Sequence, residues 1–558
     1  MGNQNSSQAF DEALESAPPA AWVAGPSEGA PSPRESAAAI ITSAAAAERL
    51  CIVGGRGEID KLTGEPVEYD DVHILSGDGT WSSPKPSGRT PRSRSGHTAL
   101  HLPGLGLLVY GGLSAERGYL SDASLLCEDA GGSLKWVPIC AGGQLPCARD
   151  KHSVALVPSQ EEGGSPSMLV FGGFGILPPP EEGEEAGEDV GEDVGEDVGE
   201  DVGEAGEDVG EDKTQDARGP SVDMGWFDDA YLLDPPPPAT PLDGMGWRWQ
   251  RIEAEEVGTA AERCGTRPDA RAAHATSWIG GADGAMVLFG GRTQRSRVDD
   301  TWLFFPGSQG EVSKGEVSQG EVSQGEVSNG RGSKGMSKGV WVELSKSLHG
   351  PCPSARSFHN LVTLAHTPRR LAALYGGLDA GGQSMGDLHL LDLGSALGPP
   401  LCAHQSALQA SGALGWARVR VGELAPVARG MAAMAAVSGK LLLFGGSSEW
   451  DAQLGGASVF HNDTFCIDLT EAIGTAQRVG DGQAAANAEA QQAPKRGEAP
   501  VTIEPAEAQL APKPAEAVRI VETSLDLADE NEDGNGGDAA VAKRIKLQGE
   551  PGALPTSV

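Results

Sequence analysis

Cysteine is scarce in this chain of 558 residues, and what there is lies scattered. The eight cysteines (Cys51, Cys127, Cys140, Cys147, Cys264, Cys352, Cys402 and Cys466) include no C-x-x-C pair. That pattern argues against a disulfide framework or a zinc ribbon and suits a reduced intracellular chain. No run of about 18 apolar residues occurs, so no membrane-spanning helix is expected. The start lacks a basic stretch followed by an apolar core, so no secretory leader is expected either. Positive charge is also short: 42 Lys and Arg stand against 79 Asp and Glu, a net charge of −37. Such a surface repels phosphate, so direct nucleic-acid binding is not expected. Aromatics are few while glycines number 79, which points to many turns and short strands.

A register recurs around the chain. Six short apolar runs end in Gly-Gly: Gly54-Gly55, Gly111-Gly112, Gly172-Gly173, Gly290-Gly291, Gly376-Gly377 and Gly445-Gly446. A continuous apolar run closed this way reads as a strand buried on both faces followed by a tight turn. Upstream of each stands a proline three residues before an arginine, giving Arg34, Arg94, Arg149, Arg271, Arg356 and Arg429. Three residues later come His97, His152, His274 and His359, with Ala37 and Ala432 in the first and last units. Downstream, an aspartate opens a third strand at Asp71, Asp122, Asp229, Asp300, Asp387 and Asp463. A fourth strand is marked by Trp81, Trp136, Trp249, Trp341 and Trp416.

Four strands in each of six units resemble the kelch repeat, and the resemblance covers about residues 20–470. It implies an all-β fold, a six-bladed kelch-type β-propeller, with disordered insertions and a disordered C-terminal tail. The sixth unit has no tryptophan after Asp463. Trp22 precedes Arg34 by 12 residues, where three other units have a gap of 13. The segment around Ala20 to Val23 is therefore expected to supply the missing strand and close the ring, removing open edges.

The six arginines are the partner-binding candidates. The resemblance places them near one mouth of the central channel, where guanidinium forks suit an acidic peptide or a carboxylate terminus. The competing reading is that each bonds loop carbonyls, and its recurrence in every unit favours that. The histidines invite a metal reading, yet no carboxylate or cysteine recurs at chelating spacing, so packing is the expected role and no metal or cofactor is assigned. The aspartates are expected to accept backbone hydrogen bonds at a turn. No nucleophile, base and orienting residue can be assembled, so no catalytic residue is assigned.

Two insertions break the register, 175–224 and 307–339, and neither carries enough apolar surface to fold alone. Residues 181–212 of the first hold seventeen acidic side chains and no basic one. Strand alternation places the two on opposite faces, with the acidic one beside the arginines as a candidate tethered competitor. Residues 1–19 read as a disordered start, though Gly2 fits a myristoylation pattern, M-G-x-x-x-[ST]. A lone acyl chain binds membranes only marginally, so membrane association is expected only if Gly2 is modified. Residues 471–558 read as a disordered tail carrying Lys543, Arg544 and Lys546, a cluster similar to a nuclear import signal. The expectation is a monomeric, non-catalytic scaffold or adaptor of nucleus and cytoplasm that holds a protein or peptide partner, acidic ones included, and meets an import receptor through its tail. Alternatives are a myristoylated membrane adaptor, a ubiquitin-ligase substrate receptor, and a propeller oxidase or lyase.

Overall fold

The apolar run before each Gly-Gly becomes the second strand of an antiparallel sheet. In the second unit, Leu108, Val109 and Tyr110 are fully buried, because a neighbouring sheet packs on either face. The computed structural model describes residues 12–44, 47–63, 66–178, 223–237, 243–254, 267–307, 338–394, 414–451 and 456–478, apart from the single positions 16, 61, 366 and 368.

Blade two shows the plan: inner strand Thr98–Leu102, then Gly106–Tyr110, Ala123–Glu128 and outer strand Leu134–Ile139, paired in that order. The other inner strands are Ala38–Ala44, Ser153–Val157, Ala275–Ile279, Asn360–Leu364 and Ala433–Val437. Each inner strand neighbours the next, and the last neighbours the first, so six blades close a β-propeller. Blades three and four share one nine-stranded sheet, because Glu253 and Ala254 pair in parallel with Lys338 and Gly339.

The ring closes as the tryptophan spacing predicts. Trp22–Ala24 pairs with Thr464–Asp468 as the outer strand of blade six, with Trp22 opposite Ile467. Trp22 is 1 % exposed and sits edge-on to Tyr375 of blade five at 5.4 Å between ring centroids. The same contact recurs between neighbouring blades: Tyr110 with Trp249, Phe171 with Trp341, Phe289 with Trp416, and Phe444 with Trp81. The residue before Gly-Gly thus meets the outer-strand tryptophan of the following blade, burying large rings where wedge-shaped blades diverge.

At five margins the described structure reaches into segments the sequence assigns to insertions or ends. Phe174–Ile176 and Met224–Trp226 pair as a hairpin, so both ends of the segment 175–224 are strand. Lys338 and Gly339 open the outer strand of blade four. Residues 12–15 form a helical turn whose Leu14 is 2 % exposed. Residues 470–478 form a helix that buries Ile473 and Ala476 beside Leu14 and Trp22. Leu469, Ile473 and Ala476 share one helical face, a pattern too short to stand out from the polar sequence that follows.

Candidate functional site

Strand direction divides the propeller into two faces. The loops between second and third strands, and the starts of the inner strands, share one face. There the second and third strands run on into hairpins. Separate ones are Arg56–Ile59 with Pro66–Glu68, Leu113–Ser114 with Gly118–Tyr119, and Ser447–Asp451 with Gly456–Phe460, besides the blade-three hairpin. In blades four and five the strands themselves extend as Ala285–Arg292 with Arg297–Pro306 and Leu371–Leu378 with Ser384–Asp392.

All six candidate arginines lie at the base of this face, each 2 % exposed or less. Arg94 shows the pattern. Its Nε donates to the Arg92 carbonyl at 3.0 Å, Nη1 to the Gly111 carbonyl at 3.0 Å, and Nη1 and Nη2 grip the Asp122 carboxylate at 3.0 and 2.9 Å. Arg34 with Asp71, Arg149 with Asp229, Arg271 with Asp300, Arg356 with Asp387 and Arg429 with Asp463 repeat it. The recurring aspartates therefore take guanidinium forks rather than turn N–H groups, a bidentate fit that arginine's planar fork makes possible. Burial raises the Asp71 carboxyl, but hydrogen bonds from His73 and Arg34 outweigh it and bring its pKa down to about 2.

The arginine backbones staple the blades to each other. The N–H of Arg94 donates to the Tyr69 carbonyl of blade one, and its carbonyl accepts from Gly55 of the same blade at 2.9 Å. Equivalent bonds join Arg34 to His461 and Gly446 across the closing junction. The second glycine of each pair must be glycine: at Gly112, with φ 101°, a Cβ would lie 2.9 Å from the Ser95 carbonyl oxygen.

Two residues after each arginine the backbone turns left-handed. Ser36, Gly96, Lys151, Ala273, Phe358 and Met431 have φ between 51° and 61°. Each N–H donates to the carbonyl of its counterpart in the preceding blade, and Ser36 donates to Met431, so six hydrogen bonds form a closed ring around the channel mouth. Five of the six carry side chains in a conformation costing about 1–3 kcal/mol each, which the ring holds in place. The mouth is two-sided. Blades one and three bring buried carboxylates, Glu35 held by Arg56 Nε at 2.7 Å and Asp150 held by Lys151 Nζ at 2.6 Å. Burial raises the Asp150 carboxyl pKa, with Lys151 pulling against it. Blades four to six bring Ala273, Phe358 and Met431.

The four histidines sit between blades. His152 bonds Thr98 at 2.8 Å, His274 bonds Ser153 at 2.7 Å, and His359 bonds the Phe289 carbonyl at 3.1 Å. Among the described residues no group of three His, Cys, Asp or Glu side chains could hold a metal ion. Gly2, Lys543, Arg544 and Lys546 lie outside the described residues, as does 181–212.

Sequence reading misses the outer part of this face. Of ten exposed large apolar side chains among the described residues, Ile59, Leu62, Ile176, Met224 and Val459 stand on its hairpins. Leu145, Leu424 and Val427 stand on linkers leading up to the mouth. Tyr119, Phe174 and Trp226 form a partly exposed aromatic row between the hairpins of blades two and three, with centroids 6.0 and 4.8 Å apart. None of these residues repeats from blade to blade, so no periodic signal marks them.

No known family's sequence profile matches the chain. Among curated proteins it is similar to acyl-CoA-binding domain-containing protein 5 of Arabidopsis thaliana, 32 % identical over 125 residues, covering 22 % of this chain and 17 % of that protein. Host cell factor of Drosophila melanogaster is 31 % identical over 140 residues, covering 23 % and 8 %. Acyl-CoA-binding domain-containing protein 4 of Arabidopsis thaliana is 30 % identical over 125 residues, covering 22 % and 16 %. The chain thus spans less than a fifth of the length of these relatives. Among solved structures it is similar to YjhT, with a TM-score of 0.39 and 14 % identity over 79 % of this chain and 96 % of that one. It is also similar to a chain of RAG in complex with one melted and one unmelted RSS, with a TM-score of 0.41 and 12 % identity over 80 % and 99 %.

Proposed function

We propose that this chain is a kelch-type propeller serving as a non-catalytic scaffold, and that its hairpin face holds a protein partner. The observation that carries this is the placement of exposed apolar side chains: among the described residues, eight of ten stand on the hairpins or mouth linkers of one face. Apolar surface gathered on one side of a rigid disc is what a partner-binding surface needs. The arginine, glycine and histidine network below fixes the bases of the hairpins, so little ordering cost remains for binding. The six arginines themselves serve as scaffold, since their donors are engaged within the blade. Entry to the nucleus through Lys543, Arg544 and Lys546 is part of the proposal and rests on sequence alone.

Proximity labelling tests the reading. The full chain is compared with a variant carrying serine at Ile59, Leu62, Ile176, Met224 and Val459, and with Met245→Ser as a control away from that face. The five-site variant is expected to lose most of its labelled neighbours while the control keeps them. An unchanged set in the five-site variant, with its melting temperature preserved, would remove the hairpin face as the binding surface.

A further inference from the structure

The hairpin of blade four differs in charge from its neighbours. It places Arg292, Arg295 and Arg297 within six residues of a chain whose net charge is −37. In blade two Glu116 offsets Arg117 at 3.3 Å, and in blade one Arg56 is tied to Glu35. Among the described residues the blade-four hairpin has no such ion pair. Arg292 and Arg297 stand directly opposite each other in the ladder, a register in which like charges repel. The guanidinium groups of Arg292 and Arg295 are exposed and make no hydrogen bond or ion pair among the described residues.

The hairpin is also held rigid. Arg297 Nε donates to Ser357 Oγ at 2.8 Å and Nη1 to the Ala380 carbonyl at 3.2 Å, tying it to blade five. Thr293 Oγ1 accepts the N–H groups of Arg295 and Ser296 at 3.2 Å each and clasps the turn. Burial, and then the charge of Arg292, lower the Arg297 pKa. Asp379 on the next hairpin spends its carboxylate within its own turn, accepting the Gln383 N–H at 2.9 Å, and makes no ion pair with Arg297 among the described residues.

We propose that this hairpin docks a carboxylate-rich segment of a protein partner, with Arg292 and Arg295 meeting the carboxylates and Arg297 positioning the turn. An anion between the strands would relieve the cross-strand repulsion and gain charge-assisted bonds. A long polyanion is disfavoured, because the rest of the surface repels it. A short carboxylate segment meets mainly the local charge, within the screening length of about 10 Å at 0.1 M salt. This proposal rests on the hairpin face being the partner face.

The test uses the full chain and a fluorescent Glu/Asp-rich peptide, read by polarisation. Binding is expected in the wild type, weakened about tenfold or more in R292E/R295E. Binding should be unchanged in R117E and should fade as salt is added. Both altered side chains are exposed, and circular dichroism melting confirms the fold. Equal affinity in R292E/R295E overturns the proposal, as does absence of binding both in the wild type and in a chain lacking residues 181–212. Binding that appears only after that deletion, and through the same arginines, assigns the hairpin to the chain's own acidic stretch and overturns the partner assignment. Single-stranded DNA bound as tightly through these arginines overturns the carboxylate assignment. If the peptide result fails while the five-site labelling loss holds, the face stands and only this hairpin's role falls.

Discussion

At the scale of single residues, the histidines set the response to acid. Burial first, and then the nearby Arg94 and Arg356 charges, bring His97 and His359 down to a pKa of about 3. His152 and His274 are likewise held well below their ordinary value, again mainly by burial. Below about pH 6.5 the unfolded chain protonates these rings while the native chain keeps them neutral. The stabilising contribution of His97 and His359 is therefore complete above about pH 6.5 and is lost progressively as pH falls toward about 3, and that of His152 and His274 falls in the same direction. The slope is about 1.4 kcal/mol per pH unit for each histidine. Asp71, with a folded pKa of about 2, adds its own loss only from about pH 4 downward. The melting temperature should thus decline already between about pH 6.5 and 5, above the carboxylate range. His359→Ala places the residue that blades one and six already use, Ala37 and Ala432. It should lower the melting temperature at neutral pH yet flatten its fall with acid. A melting curve whose pH slope is the same in the variant would show that the ring at this position is not the source. The histidines and arginines are legible in the sequence because they repeat. Their bonds are less so: arginine and aspartate partners lie 28 to 80 residues apart, and nothing local names one as the other's ligand.

At the scale of elements, the strand Trp22–Ala24 decides whether the ring has an edge. Its ladder to Thr464–Asp468 covers a strand that would otherwise present unpaired backbone groups. Trp22 anchors it among Tyr375, Phe465, Leu14 and Ile473. Trp22→Ala should cost about 3–5 kcal/mol, the range for emptying a buried tryptophan site. Trp416→Ala removes an equally buried ring from blade five and serves as the comparison. The two should match in melting temperature, but only Trp22→Ala should free the edge and give concentration-dependent association by light scattering. If both variants stay monomeric, or both associate, the strand is not a special closure device. This element was readable from one spacing, the 12 residues from Trp22 to Arg34, because it completes a register fixed by five other blades. The hairpins were not readable: they differ in length and residue type, and their exposed side chains follow no period.

At the scale of the whole molecule, six equivalent staples do not carry equal weight. Each arginine joins its own blade through the side chain and the preceding blade through the backbone. Arg271 does so between blades three and four, which also share one continuous sheet. Arg34 does so between blades six and one, bonded to the His461 carbonyl at 3.0 Å and the Gly446 N–H at 2.8 Å. The covalent path across that junction runs through Trp22–Ala24, which blade six holds by a three-residue ladder and by the packing of Trp22 against Phe465, Ile467 and their buried neighbours. Arg34→Met and Arg271→Met each leave a partly exposed aspartate without its fork, at roughly 3 kcal/mol in either case, the low end for breaking a buried pair. The consequences should differ. In Arg271→Met the shared sheet keeps the junction shut, and hydrogen exchange at Ser153–Val157 and Ala275–Ile279 should rise only with the global loss of stability. In Arg34→Met the seam can part without unfolding the blades, so exchange at Ala38–Ala44 and Ala433–Val437 should rise beyond that global loss, as sub-global openings do. Equal changes at both junctions would mean that the propeller opens only by complete unfolding, and that closure by pairing the first and last strands of the propeller is as strong here as a continuous sheet.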